Sequence, residues 1–164
     1  MRTKEELARI YQRRARTVYL VAVSYGLQVV DCEDIVQETF IRLLRANPAF
    51  NDAEHEKAWL IVTAGNLCKN YLAKSERKNI PLEGWDGPVE TGETGSGAYD
   101  SEQQMIHCIR QLPERLRLTV YLYYYESYNS REIADMLGIH SASVRRRLSE
   151  ARRYLKELWK TYEK

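Results

Sequence analysis

Residues 80–100 read IPLEGWDGPVETGETGSGAYD, and this stretch divides the chain. It holds five of the eight glycines and two of the four prolines. Such a composition favours turns and supplies no face to pack. A structureless run of this length is unusual inside one compact domain. The 164 residues are therefore expected to form two small domains, 1–79 and 104–164, joined by a connector over 80–103. Charge divides the same way. Residues 1–79 carry 13 Lys+Arg against 10 Asp+Glu, residues 80–103 six acids and no base, and residues 104–164 12 bases against seven acids. Two mildly basic blocks flank an acidic connector.

Both blocks have helical periodicity, so an all-α fold is predicted. In the first, Leu7, Tyr11, Val18, Val21, Ala22 and Tyr25 follow helical spacing, and Gly26 offers a stop. Asp31 is placed to cap the next helix, with Glu33 and Asp34 in its first turn. Its apolar stripe is Ile35, Val36, Phe40, Leu43 and Leu44, and Asn47-Pro48 ends it. A third helix is expected from about Glu54 to Lys74. Leu60, Ala64, Leu67 and Tyr71 lie on one face, and Trp59, Ile61, Cys68 and Leu72 widen it. The second block has four candidate helices, the first over roughly 101–111 and the second starting near Pro113. LTVYLYYYE, which follows, has the β-branched and aromatic content of a strand. No second run exists nearby to pair with it, and a lone strand leaves its backbone groups unsatisfied, so helix is expected.

Several function classes drop out. Cys32, Cys68 and Cys108 form no CxxC pair and read as small buried hydrophobes in a reducing compartment. His107-Cys108 has no further ligands at useful spacing, so no metal and no cofactor is expected. No Gly-rich phosphate loop, nucleophile elbow or catalytic dyad occurs, which points away from an enzyme. The N-terminal MRTKEELARIYQRRAR is charged throughout and is not a signal peptide. No apolar run approaches the roughly 20 residues a membrane helix needs, so no membrane insertion and a cytoplasmic location are expected.

The stretch from Ser130 to Tyr162 carries the most information. Ser130 is placed to cap a short helix whose apolar face is Ile133, Ala134 and Leu137. Gly138 suits the left-handed residue that ends it. Ser141 or His140 can cap the next helix, whose stripe is Val144, Leu148, Ala151, Leu155, Leu158, Trp159 and Tyr162. Arg145, Arg146, Ser149, Arg152 and Arg153 lie opposite. A short helix, a glycine turn and a basic amphipathic helix make a helix-turn-helix. One face of the second helix stays pinned to the core while the other presents serine hydroxyls and arginine forks to bases or phosphates. Arg145 and Arg146 point away from the core stripe and are the base-edge candidates. Ser141 and Ser143 lie in the first turn, and Arg147, Arg152 and Arg153 are placed for phosphates or for packing near the core.

These residues resemble region 4 of the extracytoplasmic-function (ECF) sigma factors, the promoter-specificity subunits of bacterial RNA polymerase. The family's elements stand here as Leu112-Pro113, Arg117, Val120-Tyr121-Leu122, Glu132-Ile133-Ala134, Leu137-Gly138, Ser143-Val144, Arg147-Leu148 and Ala151-Arg152. Glu150 stands where the family commonly has arginine. DCEDIVQETFIRLL (31–44) and AWLIVTAGNLCKNYLAK (58–74) are similar to the same family's region 2, with Ala73 where many relatives carry a basic residue. The resemblance implies core RNA polymerase and promoter DNA as partners, together with an anti-sigma factor. It implies that Asp34, Gln37, Glu38 and Arg42 bind the polymerase. It implies that Asn66, Asn70, Tyr71, Lys74, Arg77 and Lys78 engage single-stranded −10 DNA, where cations track phosphates and amides and an aromatic meet unstacked bases. Tyr71 shares a face with Leu60 and Leu67, which equally suits a core position, and Trp59 suits the core better than DNA. The competing function is a stand-alone helix-turn-helix regulator, with the first block as a dimerisation or sensing domain. Such a regulator binds duplex DNA alone and has no use for an acidic 31–44 helix.

Overall fold

The computed structural model describes residues 1–74 and 96–162. The chain separates into two units, Met1–Thr91 and Gly92–Lys164. The first contains α1 (Lys4–Ser24), α2 (Val29–Ala46) and α3 (Ala53–Lys74). The second contains α4 (Ser96–Arg110), α5 (Glu114–Val120), a π-helical segment (Tyr121–Tyr125), α6 (Ser130–Leu137) and α7 (Ser141–Tyr162). No strand occurs among the described residues.

Thr3 starts α1 by accepting a hydrogen bond from the Glu6 amide, and Glu5 and Glu6 lie in its first turn, where carboxylates favour the helix dipole. Gly26, at φ 94°, turns the chain after Tyr25 in a conformation that L side chains rarely adopt. α2 begins earlier than its sequence indicates. Gln28 is its N-cap, with no side-chain capping bond, and Asp31 lies inside the first turn rather than at the cap. The Gly26 turn brings the chain back so tightly that helical geometry resumes at Val29. Asn47, in the left-handed region at φ 45°, ends α2 immediately before Pro48. Asp52 opens α3 by accepting from the His55 amide at 2.8 Å.

The three helices of the first unit pack on Val18, Leu20, Val21, Ala22, Leu43, Leu60, Ile61, Ala64 and Cys68, all fully buried. Cys32 and Cys68 are buried, and Cys108 in the second unit is half-buried. Two acidic residues of this unit are buried, Asp31 and Glu56. Glu56 is buried between α3 and α1, where Arg13 donates from Nε and Nη2 at 3.0 and 2.7 Å. Arg14 adds a bond from Nε at 3.0 Å and spans to the Ala53 carbonyl. Burial alone would raise the Glu56 pKa. The hydrogen bonds and charges of the two arginines outweigh it and hold the carboxyl below its ordinary 4.5.

In the second unit, Ile106, Ile109, Leu112, Leu116, Tyr121, Leu122, Ile133, Val144, Leu148 and Ala151 form the core. α4 starts at Ser96, five residues before the start its sequence indicates. The strand-like LTVYLYYYE is helical, as expected, but its second half widens into a π-helix. There Tyr121 stacks on Tyr125 with ring centroids 5.1 Å apart. The cap of α6 is Asn129 rather than Ser130. Its side chain accepts from the Glu132 amide while Glu132 accepts from the Asn129 amide, a reciprocal capping box. Gly138, at φ 68°, ends α6 as expected.

A carboxyl whose folded pKa is depressed stabilises the fold above its unfolded pKa, and that stability is lost as pH falls through the folded value. Glu56→Gln is expected to cost about 1.5–3 kcal/mol at neutral pH, the usual worth of hydrogen bonds to a charged group. The wild type should lose its advantage over this variant in urea unfolding as pH drops below about 4.5. A difference that persists unchanged to pH 2 would contradict the assignment.

Candidate nucleic-acid and polymerase interfaces

On α7, Val144, Leu148 and Ala151 are buried, and Leu155 and Leu158 half-buried. The chain turns about 100° per residue, so the face opposite carries Arg145, Arg146, Ser149 and Arg153, all exposed. Ser141, Ser143 and Arg147 are half-buried along the helix flank. The His140 carbonyl accepts from Ser143 and Val144 at 2.9 and 3.2 Å, which makes His140 the entry to the helix. Arg146 Nη2 donates to Ser143 Oγ at 3.2 Å, so these two candidates act as a pair.

Arg152 and Glu150 of α7 are held by other elements of the unit. Arg152 Nε donates to the Tyr124 hydroxyl at 3.0 Å, and its guanidinium lies 5.9 Å from the Tyr123 ring centroid. Glu150 receives both Arg115 Nη groups, one of them at 2.8 Å. The hydrogen bond from Arg115 holds the Glu150 carboxyl below its ordinary range. The sequence gives no sign of either contact, because each joins residues far apart in the chain.

On α3, Asn66, Asn70 and Lys74 recur every fourth residue and are all exposed, so one face of the helix carries them. Tyr71 is half-buried on the neighbouring flank. Arg77 and Lys78 lie outside the described residues. Lys69, exposed and three residues after Asn66, joins this face. Its i+3 spacing is visible in the sequence, but it was not among the expected residues. Trp59 is half-buried rather than a core residue and meets Phe50 edge-on at 6.0 Å. Arg2 covers the Phe50 ring at 4.8 Å and donates to Asn47 Oδ1, tying the α2–α3 loop to the N-terminal arm.

On α2, Asp34, Gln37 and Arg42 are exposed and Glu38 half-buried, with Arg42 Nε 3.6 Å from Glu38 Oε1. Beside them an apolar groove of ≈ 430 Å³ opens between α1 and α2, lined by Leu7, Ala8, Tyr11, Gln37, Phe40, Ile41 and Leu44. Tyr11 and Leu44, placed on core faces by periodicity, are surface residues, 48% and 45% exposed. Each falls on the rim of its helix's apolar stripe, and Tyr11 still meets Phe40 of α2 with ring centroids 4.9 Å apart. Ile41, 39% exposed, completes the patch.

The model of Sigma-70 region 2 matches residues 10–78, and that of Sigma-70, region 4 matches residues 102–155. The RNA polymerase sigma factor HrpL of Pseudomonas syringae pv. syringae is 31% identical, over 77% of this chain and 72% of its own. The chain belongs to the ECF sigma factors. The ECF RNA polymerase sigma factor SigM of Bacillus subtilis is 27% identical over 92% of this chain and 93% of its own. The probable RNA polymerase sigma factor RfaY of Xanthomonas campestris pv. campestris is 26% identical over 91% of this chain, which spans only 39% of that protein. In this sigma factor, most of α1 with α2 and α3 falls in the region 2 match, and part of α4, α5, α6 and most of α7 in the region 4 match. No helix among the described residues is long and apolar enough to cross a membrane.

Leu43 and Leu44 separate the core from the groove, being 0% and 45% exposed. Leu43→Ala is expected to cost about 2–5 kcal/mol in urea unfolding. Leu44→Ser should change stability by no more than about 0.5 kcal/mol, the range of ordinary surface substitutions. Equal losses would place Leu44 in the core.

Proposed function

We infer that this sigma factor delivers core RNA polymerase to promoters, with its two units dividing the work. Residues 1–79 dock on the polymerase and open the −10 element, residues 80–103 span between the two promoter elements, and residues 104–164 read the −35 element. The observation that carries this is the pairing of a region 2 match on one unit with a region 4 match on the other. The chemistry of RNA synthesis stays with the polymerase, and the protein works beside the bacterial chromosome in the cytoplasm.

Docking combines two kinds of contact. Asp34, Gln37, Glu38 and Arg42 offer polar groups on one stretch of α2, and the groove offers Tyr11, Ile41 and Leu44 beside them. Exposed apolar surface bordered by charge is the composition of a protein interface. An anti-sigma factor, which the family membership implies, would act by covering this face or that of α7. On α3, Asn66, Asn70 and Lys74, with Tyr71 beside them and Arg77 and Lys78 beyond, would hold separated −10 DNA through amides, a ring and cations. On α7, Arg145 and Arg146 would meet base edges, and Arg147 and Arg153 phosphates.

Run-off transcription with core enzyme plus this protein tests the whole assignment, and a protein that binds promoter DNA alone without stimulating core enzyme would contradict it. Asp34→Arg combined with Glu38→Arg should weaken retention of core polymerase at least tenfold while the unfolding curve stays in place. Unchanged retention by the folded variant would remove α2 from the interface. Arg145→Ala and Arg146→Ala should each relax base preference at one −35 position, by about 1–3 kcal/mol of discrimination. Selection from a randomised −35 library at fixed salt reads this directly. A uniform loss of affinity with intact preference would make α7 only an electrostatic anchor.

A further inference from the structure

Two side-chain contacts grip α7 from opposite flanks, and we propose that they set the rotation of this helix about its own axis. Glu150 and Arg152 are two residues apart and so point about 200° away from each other. Glu150 is held by the paired Nη groups of Arg115 at the start of α5. Arg152 is held by the Tyr124 hydroxyl at 3.0 Å with the Tyr123 ring beside it, both in the π-helical segment. Glu150 and Arg152 are thus positioning residues rather than DNA contacts. The inference rests on the −35 role proposed above for α7.

The need for such pins follows from the seam that docks the helix. Val144, Leu148 and Ala151 are buried aliphatic groups in a narrow stripe. Apolar contact is non-directional, so a stripe of this kind fixes the helix's roll less sharply than a hydrogen bond does. A roll of about 10° carries the helix surface through about 1 Å, beyond the roughly 0.5 Å that a recognition contact tolerates. Hydrogen bonds are directional, and a bidentate arginine fork more so. The fork on Glu150 lies on one side of the seam and the single Arg152–Tyr124 bond on the other, so roll is resisted in both senses. The face left outward then bears Arg145, Arg146, Ser149 and Arg153. An acidic residue in the middle of a DNA-reading helix is accounted for too, because its charge is met by Arg115. The widened Tyr121–Tyr125 segment also gains a purpose, since two of its tyrosines meet Arg152.

The test uses holoenzyme assembled from core polymerase and the full chain. It measures discrimination between −35 sequences at fixed salt, and the salt slope on one promoter. Tyr124→Phe and Arg152→Ala should each lower discrimination about fivefold or more, the low end of one arginine–guanine contact. The double variant should lose no more than the larger single, and the salt slope should stay at the wild-type value. Arg115→Ala and Glu150→Ala should behave in the same way, and the swap of Arg115→Glu with Glu150→Arg should recover discrimination. The proposal is overturned if Tyr124→Phe discriminates like wild type while Arg152→Ala lowers the salt slope by about one charge, the mark of a phosphate contact. A swap no better than its single variants overturns the Arg115–Glu150 pin. A urea double-mutant cycle on the DNA-free chain separates the two levels. Coupling of Tyr124 with Arg152 there, beside a wild-type holoenzyme indifferent to −35 sequence, would overturn the −35 role and the positioning claim together. Wild-type preference without coupling would overturn the pins alone.

Discussion

Val144, Leu148 and Ala151 hold α7 against the rest of the second unit, and what that helix presents to a partner depends on this seam. Burying a valine or leucine side chain stabilises by about 1.5–3 kcal/mol, so the seam suffices to dock the helix. The seam decides which broad side of α7 faces outward, and the contacts of Glu150 and Arg152 bear on its finer roll. The seam could not form without α6 being stopped and turned. The left-handed Gly138 does this, at a position where a side chain would meet no neighbour but would strain the backbone.

The first unit solves a different problem. Its three helices close a core and still leave apolar surface exposed. The fully buried run from Leu20 to Val23 places four consecutive residues of α1 inside, so this end of α1 is surrounded. The other end of α1 is not. There Leu7, Ala8 and Tyr11 line the groove together with Phe40, Ile41 and Leu44 of α2. Glu56 and its two arginines tie α3 to α1 in the intervening stretch, with a charge that a bare hydrophobic contact would exclude.

Local chemistry misled at two helix caps, each for a physical reason. Asp31 is a good capping residue, but the turn at Gly26 starts α2 before it. Ser130 is a good cap too, yet Asn129 has the reciprocal partner Glu132 at the right spacing and takes the role. The tyrosines of YLYYY have strand propensity. With no strand to pair with, they are helical and widen the helix instead, and Tyr121, Tyr124 and Tyr125 find polar partners in Glu126, Arg152 and Glu102.

The sequence by itself determined the helical class, the separation into two blocks and the two family signatures. It also determined the basic face of α7, because each of these is written in spacings of a few residues. Periodicity reports which side of a helix is apolar. It does not report how far the neighbouring helix reaches across that side, so only the tertiary structure decided that Leu43 is core and Leu44 is surface. The same holds for charge. Arg145 and Arg152 look alike in sequence, and seven residues separate them on one helix. Arg152 is engaged only because Tyr124, 28 residues away, is folded against it. Contacts of that separation leave no periodic trace, and it is they that set Arg152, held by Tyr124, apart from the exposed Arg145.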